Sequence, residues 1–198
     1  MLHGRDPDRA ARLGREAGAE VMAGDLTRPE AVEAVRGRVA RSGRLDTLIL
    51  GSGVYGRSED PAVLERMVAA NLLGPYALLR ALLPFLVAAK GQVVFLNSTQ
   101  GLAASGGVGQ FAATQHAMRA VADSLREEVN DRGVRVLSLF LGRTASDRTR
   151  AIFALEGRPY PGESLIQPED VAQAVLALLE LPRTVEATQL VLRPMQKV

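Results

Sequence analysis

Short apolar runs alternate with longer amphipathic runs along the whole chain. The apolar runs are typical of buried strands, and they lie at residues 1–5, 19–25, 45–53, 91–98, 133–142 and 187–194. Between them apolar residues recur three or four positions apart, which predicts helices at residues 6–18, 28–43, 60–90, 110–131 and 167–182. This alternation predicts a doubly wound α/β fold, in which a parallel sheet carries helices on both faces.

Two segments interrupt the alternation. The helical run at 60–90 contains Gly74-Pro75, which predicts a break in the helix at that point. Residues 143–166 are irregular and rich in glycine and proline, which predicts a flexible flap on the substrate side of the domain. No linker or internal repeat divides the chain, so residues 1–198 are predicted to form a single domain.

Ligands of doubly wound folds sit beyond the carboxyl ends of the parallel strands. In this chain those ends share glycines and small polar or charged residues, namely Gly4-Arg5, Gly24-Asp25, Gly51-Ser52-Gly53, Asn97-Ser98 and Gly142. Ser98 is either a functional hydroxyl or a residue that only bonds neighbouring backbone. Asn71 lies inside a predicted helix, where asparagine is a mediocre helix former, and this predicts a polar contact for its side chain.

Composition narrows the classes of function. The net charge is only +2, and the basic residues are spread along the chain among acidic ones, which argues against a nucleic-acid-binding face. The absence of cysteine excludes disulfides and a cysteine-ligated zinc, and two histidines, His3 and His116, are too few for a histidine-rich metal site. Without a signal-peptide pattern or an unbroken apolar run of ~20 residues, the expected location is the cytoplasm, with no membrane or metal partner.

Two glycine-rich stretches invite comparison with phosphate-binding loops. "GSGVYG" at 51–56 follows a strand and has the spacing of the dinucleotide fingerprint, but the next strand ends at "VVFLNS", too far along and without the required acidic residue. A tight turn at which a ligand approaches the backbone is therefore favoured, with the fingerprint as the alternative. "GLAASGGVG" at 101–109 lacks the Lys-Ser/Thr pair of a P-loop and is interpreted as a flexible active-site loop.

Together these residues resemble the short-chain dehydrogenase/reductase family, and the resemblance covers essentially the whole chain. The family has a Rossmann-type fold, binds NAD or NADP, and moves a hydride to or from a carbonyl or an alcohol. The resemblance implies catalytic positions for Asn71 and Ser98, and Ser98 lies thirteen residues before Phe111, the family's usual serine-to-tyrosine spacing. It also implies a cofactor site, with the charge of Arg5 favouring NADP, formed by Arg5, Asp25, Leu26, Gly51, Gly53, Gly142 and Thr144.

The first departure from the family lies in its Tyr-x-x-x-Lys motif. Phe111 and Gln115 stand at the two positions, one helical turn apart and on one face. In the family the phenol is the general acid/base, and the ammonium lowers its pKa and holds the nicotinamide ribose. A positioned acid/base typically contributes 10²–10⁴-fold, or about 3–5 kcal/mol of barrier. The resemblance therefore implies an impaired or inactive oxidoreductase.

The second departure is at the start of the chain, which resembles the end of the family's second strand. The first strand, its glycine-rich pyrophosphate turn and its first helix form a unit of roughly 30 residues that has no counterpart here. In the strand order 3-2-1-4-5-6 the first strand is central. We therefore expect broken strand pairing beside the strand at 45–53, filled by further residues of the native chain or by a partner subunit, and a weakened cofactor site.

The sequence leaves three functions open. The first is a pseudoenzyme, a non-catalytic subunit that binds a ligand or stabilises an active relative. The second is an active NADP-dependent oxidoreductase with Tyr55 or Tyr160 as a substitute acid. The third is a non-redox enzyme that uses Ser98 and His116 in the same pocket. The substrate is not predictable, because the segment at 143–166 shows no specificity pattern.

The resemblance also implies how the chain assembles. In the family, the helices that correspond to residues 71–89 and 110–131 commonly pack into a four-helix bundle between subunits. A homodimer or homotetramer through these helices is expected, or a hetero-oligomer with an active relative.

Overall fold

A computed structural model describes residues 1–196 of the chain. Its strands are β1 Leu2–Gly4, β2 Val21–Ala23, β3 Thr47–Leu50, β4 Gln92–Ser98, β5 Arg135–Leu141 and β6 Gln189–Leu192. Its α-helices are α1 Pro7–Ala17, α2 Pro29–Ser42, α3 Pro61–Val68, α4 Gly74–Ala89, α5 Gly109–Val129, α6 Asp147–Leu155 and α7 Pro168–Leu179. A π-helical turn, Ala69–Leu73, joins α3 to α4. The α/β class predicted from the sequence is confirmed.

Local chemistry sets the helix ends where the sequence predicts them. The carboxylate of Asp6 accepts hydrogen bonds from the N–H groups of Asp8 and Arg9, which would otherwise lack partners at the start of α1. At the end of α2, Gly43 takes a left-handed conformation with φ of 72° and closes the last turn. A residue with a side chain would be strained at that position.

The strands form two parallel sheets. One has the order β3-β4-β5-β6, with Val94 of β4 opposite Leu137 of β5, and the other contains β1 and β2 alone. Among the described residues β1 pairs only with β2. Within the same residues strand β3 pairs only with β4, so its other edge has no partner strand. The break in the ladder thus falls between β1 and β3, where the sequence analysis expects it.

Helix α2 connects the small sheet to the main core. Val32, Val35 and Val39 are buried on one face of α2 and pack in the same cluster as Leu48 of β3 and Leu79 of α4. The other face of the large sheet packs against α7, where Val171 and Val175 contact the β4 and β5 side chains. Strands β4 and β5 are therefore covered on both faces, as expected for parallel strands with nearly continuous apolar sequences.

The predicted break in the helix at Gly74-Pro75 is wrong, because the structure has a change of helix type there and no interruption. The helical path continues through the π-turn, in which the N–H of Gly74 donates to the carbonyl of Ala69, five residues back. Pro75 has no N–H, and it falls in the first turn of α4, where the loss of a donor is tolerated.

Because the helical path is unbroken, the prediction that no apolar run is long enough to span a membrane is also corrected. The helical run Pro61–Ala89 has 29 residues and a mean hydropathy of 1.7 in its most apolar window, enough by length and composition to cross a membrane, and 39% of that window is buried. Leu79, Leu82 and Leu86 of this run are almost fully buried in the main core. Core packing therefore accounts for the apolar character of these positions.

The predicted flap at 143–166 is likewise only partly irregular. It contains the nine-residue helix α6 and a short 3₁₀ turn at Gly162–Ser164. Ser146 caps α6 by accepting from the N–H of Thr149, and the side chain of Phe153 is buried on its inner face. The segment therefore forms a packed wall beside the strand ends.

Candidate active site

The carboxyl ends of β3, β4 and β5 open into one cavity of about 350 Å³, within the range of small-molecule sites. The residues that line it include most of those predicted from the sequence: Gly51, Gly53, Asn71, Ser98, Phe111, Gln115, Gly142 and Thr144. Further lining side chains are Tyr55, Arg143, Arg148 and Glu156. The fold thus gathers side chains from three strand ends, the π-turn, α5 and α6 around one space.

Ser98 ends β4 and faces the cavity. Its Oγ accepts a hydrogen bond from the N–H of Gln100 at 3.2 Å, and its own N–H donates to Oδ1 of Asn97 at 2.6 Å. The hydroxyl therefore bonds nearby backbone and also borders the cavity, and its functional role stays a prediction. Because Oγ acts as an acceptor here, its hydrogen can still form a hydrogen bond with a ligand in the cavity.

Asn71 lies in the π-turn and ties that turn to the loop after β3. Its Oδ1 accepts from the N–H of Val54 at 2.6 Å, and its Nδ2 donates to the carbonyl of Val54 at 2.9 Å. Nδ2 also lies 3.1 Å from Oγ1 of Thr114, which in turn donates to the carbonyl of Phe111 at 2.8 Å. The polar contact predicted for Asn71 is found, and it is a link between backbone segments.

Phe111 and Gln115 lie together on the cavity side of α5, and both are buried. The ring of Tyr55 meets the ring of Phe111 edge-on, with centroids 5.3 Å apart. The amide of Gln115 donates to Oγ1 of Thr114 at 3.3 Å. Neither position carries an ionisable group.

The first of the two glycine-rich stretches does not lead directly into a helix, whereas the second ends where α5 begins at Gly109. After "GSGVYG" the chain runs on without regular structure until α3 begins at Pro61, and the carboxylate of Asp60 caps that helix. An acidic cap opposes an anion at this helix N-terminus. In the second stretch, the side chain of Gln100 forms hydrogen bonds of 2.9 Å with both Oγ and N–H of Ser105.

An ion pair borders the cavity on the α6 side. Nη2 of Arg143 contacts both carboxylate oxygens of Glu156, at 2.8 and 2.9 Å, and the guanidinium lies 4.4 Å from the ring centroid of Phe153. The hydrogen bond from Arg143 lowers the pKa of Glu156, outweighing the effect of burial, and Arg158 contributes in the same direction. Glu156 is therefore ionised at neutral pH.

Three of the predicted cofactor residues lie outside the cavity lining. Arg5 and Asp25 follow β1 and β2, and hydrogen bonds from the N–H and hydroxyl of Thr27 lower the pKa of Asp25, with a smaller contribution from the charge of Arg5. Leu26 packs against the main core, and its carbonyl lies so close to Gly74 that a β-carbon there would be 2.9 Å away. The structure therefore brings Gly51, Gly53, Gly142 and Thr144 together around the cavity and leaves the other three predicted cofactor residues outside it.

Two residues proposed for alternative chemistry also lie away from the cavity. Nδ1 of the exposed His116 is 3.0 Å from the carbonyl of Ala112, and Tyr160 packs against Phe153 and Arg150. The structure thus does not bring His116 to Ser98. Within residues 1–196, no group of three or more His, Asp or Glu side chains is placed to hold a metal ion.

Sequence reasoning missed two kinds of site residue. Thr114, the hydroxyl that joins Asn71 to α5, has no signal in the sequence, because its partners are distant along the chain. Arg143 does have one: it directly follows the end of a predicted strand, and the same argument that selected Arg5 would have selected it. Arg148 has no such signal, because it lies further along the chain on α6.

A parallel sheet with helices on both faces and a cavity at its carboxyl edge defines the class of Rossmann-like α/β proteins. A family model described as short chain dehydrogenase matches residues 2–156. The chain belongs to the short-chain dehydrogenase/reductase family.

Individual relatives agree with this assignment. The chain is 29% identical over 201 residues to dehydrogenase/reductase SDR family member 7B of Bos taurus, covering 90% of this chain and 62% of that protein. Among solved structures it is similar to an alcohol dehydrogenase from Thermococcus sibiricus complexed with 5-hydroxy-NADP, with a TM-score of 0.81, 27% identity, and coverage of 100% and 86% of the two chains. A closed serine dehydrogenase complexed with NADP⁺ has a TM-score of 0.89 at 23% identity, with coverage of 99% and 85%.

Proposed function

We propose that this chain is a ligand-binding member of the family that does not catalyse oxidoreduction at an ordinary enzymatic rate. The observation that supports the proposal is the pair Phe111 and Gln115, which borders the cavity at the two positions implied for the family's phenol and ammonium. A benzene ring has no proton to give, and an amide has no charge with which to lower a neighbouring pKa.

Glu156, the arginines and Ser98 do not replace the missing acid. Glu156 has a lowered pKa and is held by Arg143, so it stays ionised at neutral pH. Arginine side chains keep their protons throughout the physiological range. A serine hydroxyl such as Ser98 orients a carbonyl by donating a hydrogen bond, but it is not a proton donor near neutral pH.

The cavity fits the nicotinamide side of a dinucleotide better than the rest of the cofactor. Gly51, Gly53 and Gly142 leave backbone accessible along its wall, and Thr144 and Ser98 add hydroxyls. When bound, NADP supplies the hydride. Gln115 offers no positive charge to the ribose, and Arg5 lies outside the cavity lining. We propose that NADP is the preferred cofactor and that its affinity is weakened.

The proposal is tested by separating binding from turnover. NADPH is titrated into the protein and followed by its fluorescence, and a panel of ketones is then assayed at the highest NADPH concentration reached. We expect no turnover above a small fraction of 1 s⁻¹, whether or not NADPH binds. Turnover near 1 s⁻¹ or more, in the range of ordinary enzymes, would contradict the proposal.

One contact favours a second candidate, an active oxidoreductase with a substitute acid. Tyr55 is the phenol that borders the cavity, and its ring touches Phe111. If it donates the proton, Tyr55→Phe abolishes turnover and removes the alkaline limb of the pH–rate profile. Tyr160→Phe is the matched control, because Tyr160 packs against Phe153 away from the cavity and its loss leaves the profile unchanged.

We also propose that the chain self-associates in the cytoplasm through the helices at 71–89 and 110–131. Leu73 and Tyr76 support this, since they lie three residues apart on one face and are 57% and 45% exposed. Light scattering after size exclusion is expected to give a dimer or tetramer that Leu73→Glu with Tyr76→Glu dissociates. Leu176→Glu, at an exposed position on α7, is the control that leaves the mass unchanged. A monomeric wild-type protein would contradict the proposal.

A further inference from the structure

Arg148 is the unpaired cation of the cavity. It projects from the second position of α6, and a β-carbon placed on Gly53 would lie 3.9 Å from its Nη1. The guanidinium therefore reaches across the cavity from the β5 side to the loop after β3. Within residues 1–196 its side chain makes no hydrogen bond or ion pair, in contrast to Arg143, and the residue keeps a solvent-exposed surface.

The cavity walls partly shield the guanidinium of Arg148 from solvent, and in the described part of the chain they supply no carboxylate to pair with it. Burial among the cavity walls lowers the pKa of its guanidinium, and no carboxylate acts in the opposite direction. The group nevertheless remains fully charged at neutral pH, as arginine does in proteins. A cation that is accessible, partly desolvated and unpaired has most to gain from an anion that enters the cavity.

Arg143 adds a second positive charge to the lining of the cavity. Its Nη2 is occupied by Glu156, whereas its Nη1 is buried and has no hydrogen-bond partner in the described residues. Buried donors without partners are uncommon and call for an explanation, such as a ligand or a water. The charged side chains that line the cavity are Arg143, Arg148 and Glu156, so its net charge is positive.

We propose that the cavity binds a small organic anion, a carboxylate or a phosphate, with its charged group at Arg148, and that the charge of Arg143 on the same wall favours the anion. The rest of the ligand would extend toward Ser98 and Phe111, where a hydroxyl and an aromatic ring line the wall. This names the ligand class of the cavity in the proposed function, and it requires neither turnover nor bound nucleotide.

The test measures binding to the cofactor-free protein by isothermal titration calorimetry. Three probes separate charge from shape: benzoylformate, its uncharged methyl ester, and phenyl phosphate. We expect benzoylformate or phenyl phosphate to bind at least tenfold more tightly than the ester, since a charged hydrogen-bond pair supplies the difference. The tighter of the two anions identifies the charged group that the site prefers. Equal affinity for ester and anions, or binding by none of the three, would overturn the proposal.

Two variants locate the anion. Arg148→Gln keeps a long polar side chain without the charge, and it is expected to weaken the tighter anion at least tenfold while leaving the ester unaffected. Arg150→Gln is the matched control, because Arg150 lies on the same helix but stacks on Tyr160, 4.1 Å from its ring centroid, outside the cavity lining. Equal effects of the two substitutions would show a general charge effect and overturn the assignment.

A third arm distinguishes a substrate anion from the phosphates of a nucleotide. NADPH is titrated into the wild type and into Arg148→Gln. We expect the two NADPH affinities to agree within about twofold, which would assign the anion site to a separate ligand. A tenfold loss of NADPH affinity in the variant would assign Arg148 to the cofactor instead and overturn the proposal. Because every readout is binding, failure here is independent of the turnover that tests the proposed function.

Discussion

At the scale of single residues, Asn71 acts as a clamp between two parts of the site. Its amide pairs with both backbone groups of Val54 as another peptide group would, and its Nδ2 also reaches Thr114 on α5. The loop after β3, the π-turn and α5 are thereby fixed to one another through one buried side chain. Asn71 therefore contributes to the shape of the cavity wall whether or not any reaction takes place there.

We predict that Asn71→Leu lowers the free energy of unfolding by about 1–3 kcal/mol, because Val54 is left with a partly buried N–H and carbonyl that lose their partners. Urea denaturation measures the change. Asn130→Ala is the control, since the exposed side chain of Asn130 bonds only to Glu186 among residues 1–196, and a change within about 0.5 kcal/mol is expected. An unfolding free energy that is unchanged in Asn71→Leu would show that the clamp has no structural role.

Residue-scale prediction succeeded where position along the chain determines position in space. Ser98 and the glycines after β3 and β5 lie at strand ends, and parallel strand ends meet at one edge. Phe111 and Gln115 share a helix face by their spacing. The link from Asn71 to Val54 could not be predicted, because it depends on how an irregular loop folds back onto a helix 17 residues later.

At the scale of elements, the close approach of α4 to the end of β2 holds the two sheets together. Gly74 starts α4, and the carbonyl of Leu26 lies directly against it. A β-carbon at Gly74 would meet that backbone oxygen at 2.9 Å, a distance that requires one of the elements to move. The glycine permits this contact at the point where the π-turn passes into α4.

Two glycine substitutions are therefore predicted to act in opposite directions. Gly74→Ala should destabilise the protein by about 1–3 kcal/mol through overpacking against Leu26, although alanine is the better helix former. Gly37→Ala, inside α2 with nothing within 4 Å of its new β-carbon, should stabilise by about 0.5–1 kcal/mol. Thermal unfolding of both variants measures the signs. Stabilisation by Gly74→Ala would contradict the close packing of the two elements.

The predictability of elements followed the strength of their local signals. Helices α1, α2 and α7 have proline, acidic residues or caps at their starts, and they begin within a residue or two of where the sequence places them. Helix α6 was missed because the glycines and prolines just after it dominate the pattern of the whole segment. The π-turn was missed because Gly-Pro is ordinarily a helix breaker.

At the scale of the whole molecule, the small sheet is the weakly supported part. In the part of the chain that the structure describes, strands β1 and β2 have three residues each and pair only with one another, whereas β4 and β5 have partners on both sides. A two-stranded sheet is marginally stable by itself, so its attachment depends on α2 in the main core. The position of this break was predictable from strand order, whereas the role of α2 as the connector was not, because many helices carry a similar apolar face.

We predict that amide hydrogen exchange distinguishes the two sheets. Amides of β1 and β2 should exchange roughly 100-fold faster than those of β4 and β5, because local opening of the small sheet costs less than global unfolding. Amides of α2 should be intermediate or slow, since α2 belongs to the main core. Equal protection of both sheets would mean that another segment completes the ladder between β1 and β3 in solution.

The proposed loss of oxidoreductase activity depends on the missing proton donor at Phe111, and restoring that donor tests the proposal. The rate of ketone reduction is measured for the wild type and for the double variant Phe111→Tyr with Gln115→Lys, at matched NADPH occupancy determined by fluorescence. We predict a gain of roughly 10²–10⁴-fold in the double variant, the contribution of a positioned acid/base. Equal rates at an ordinary enzymatic turnover in both proteins would contradict the account, because the proton would then come from another group.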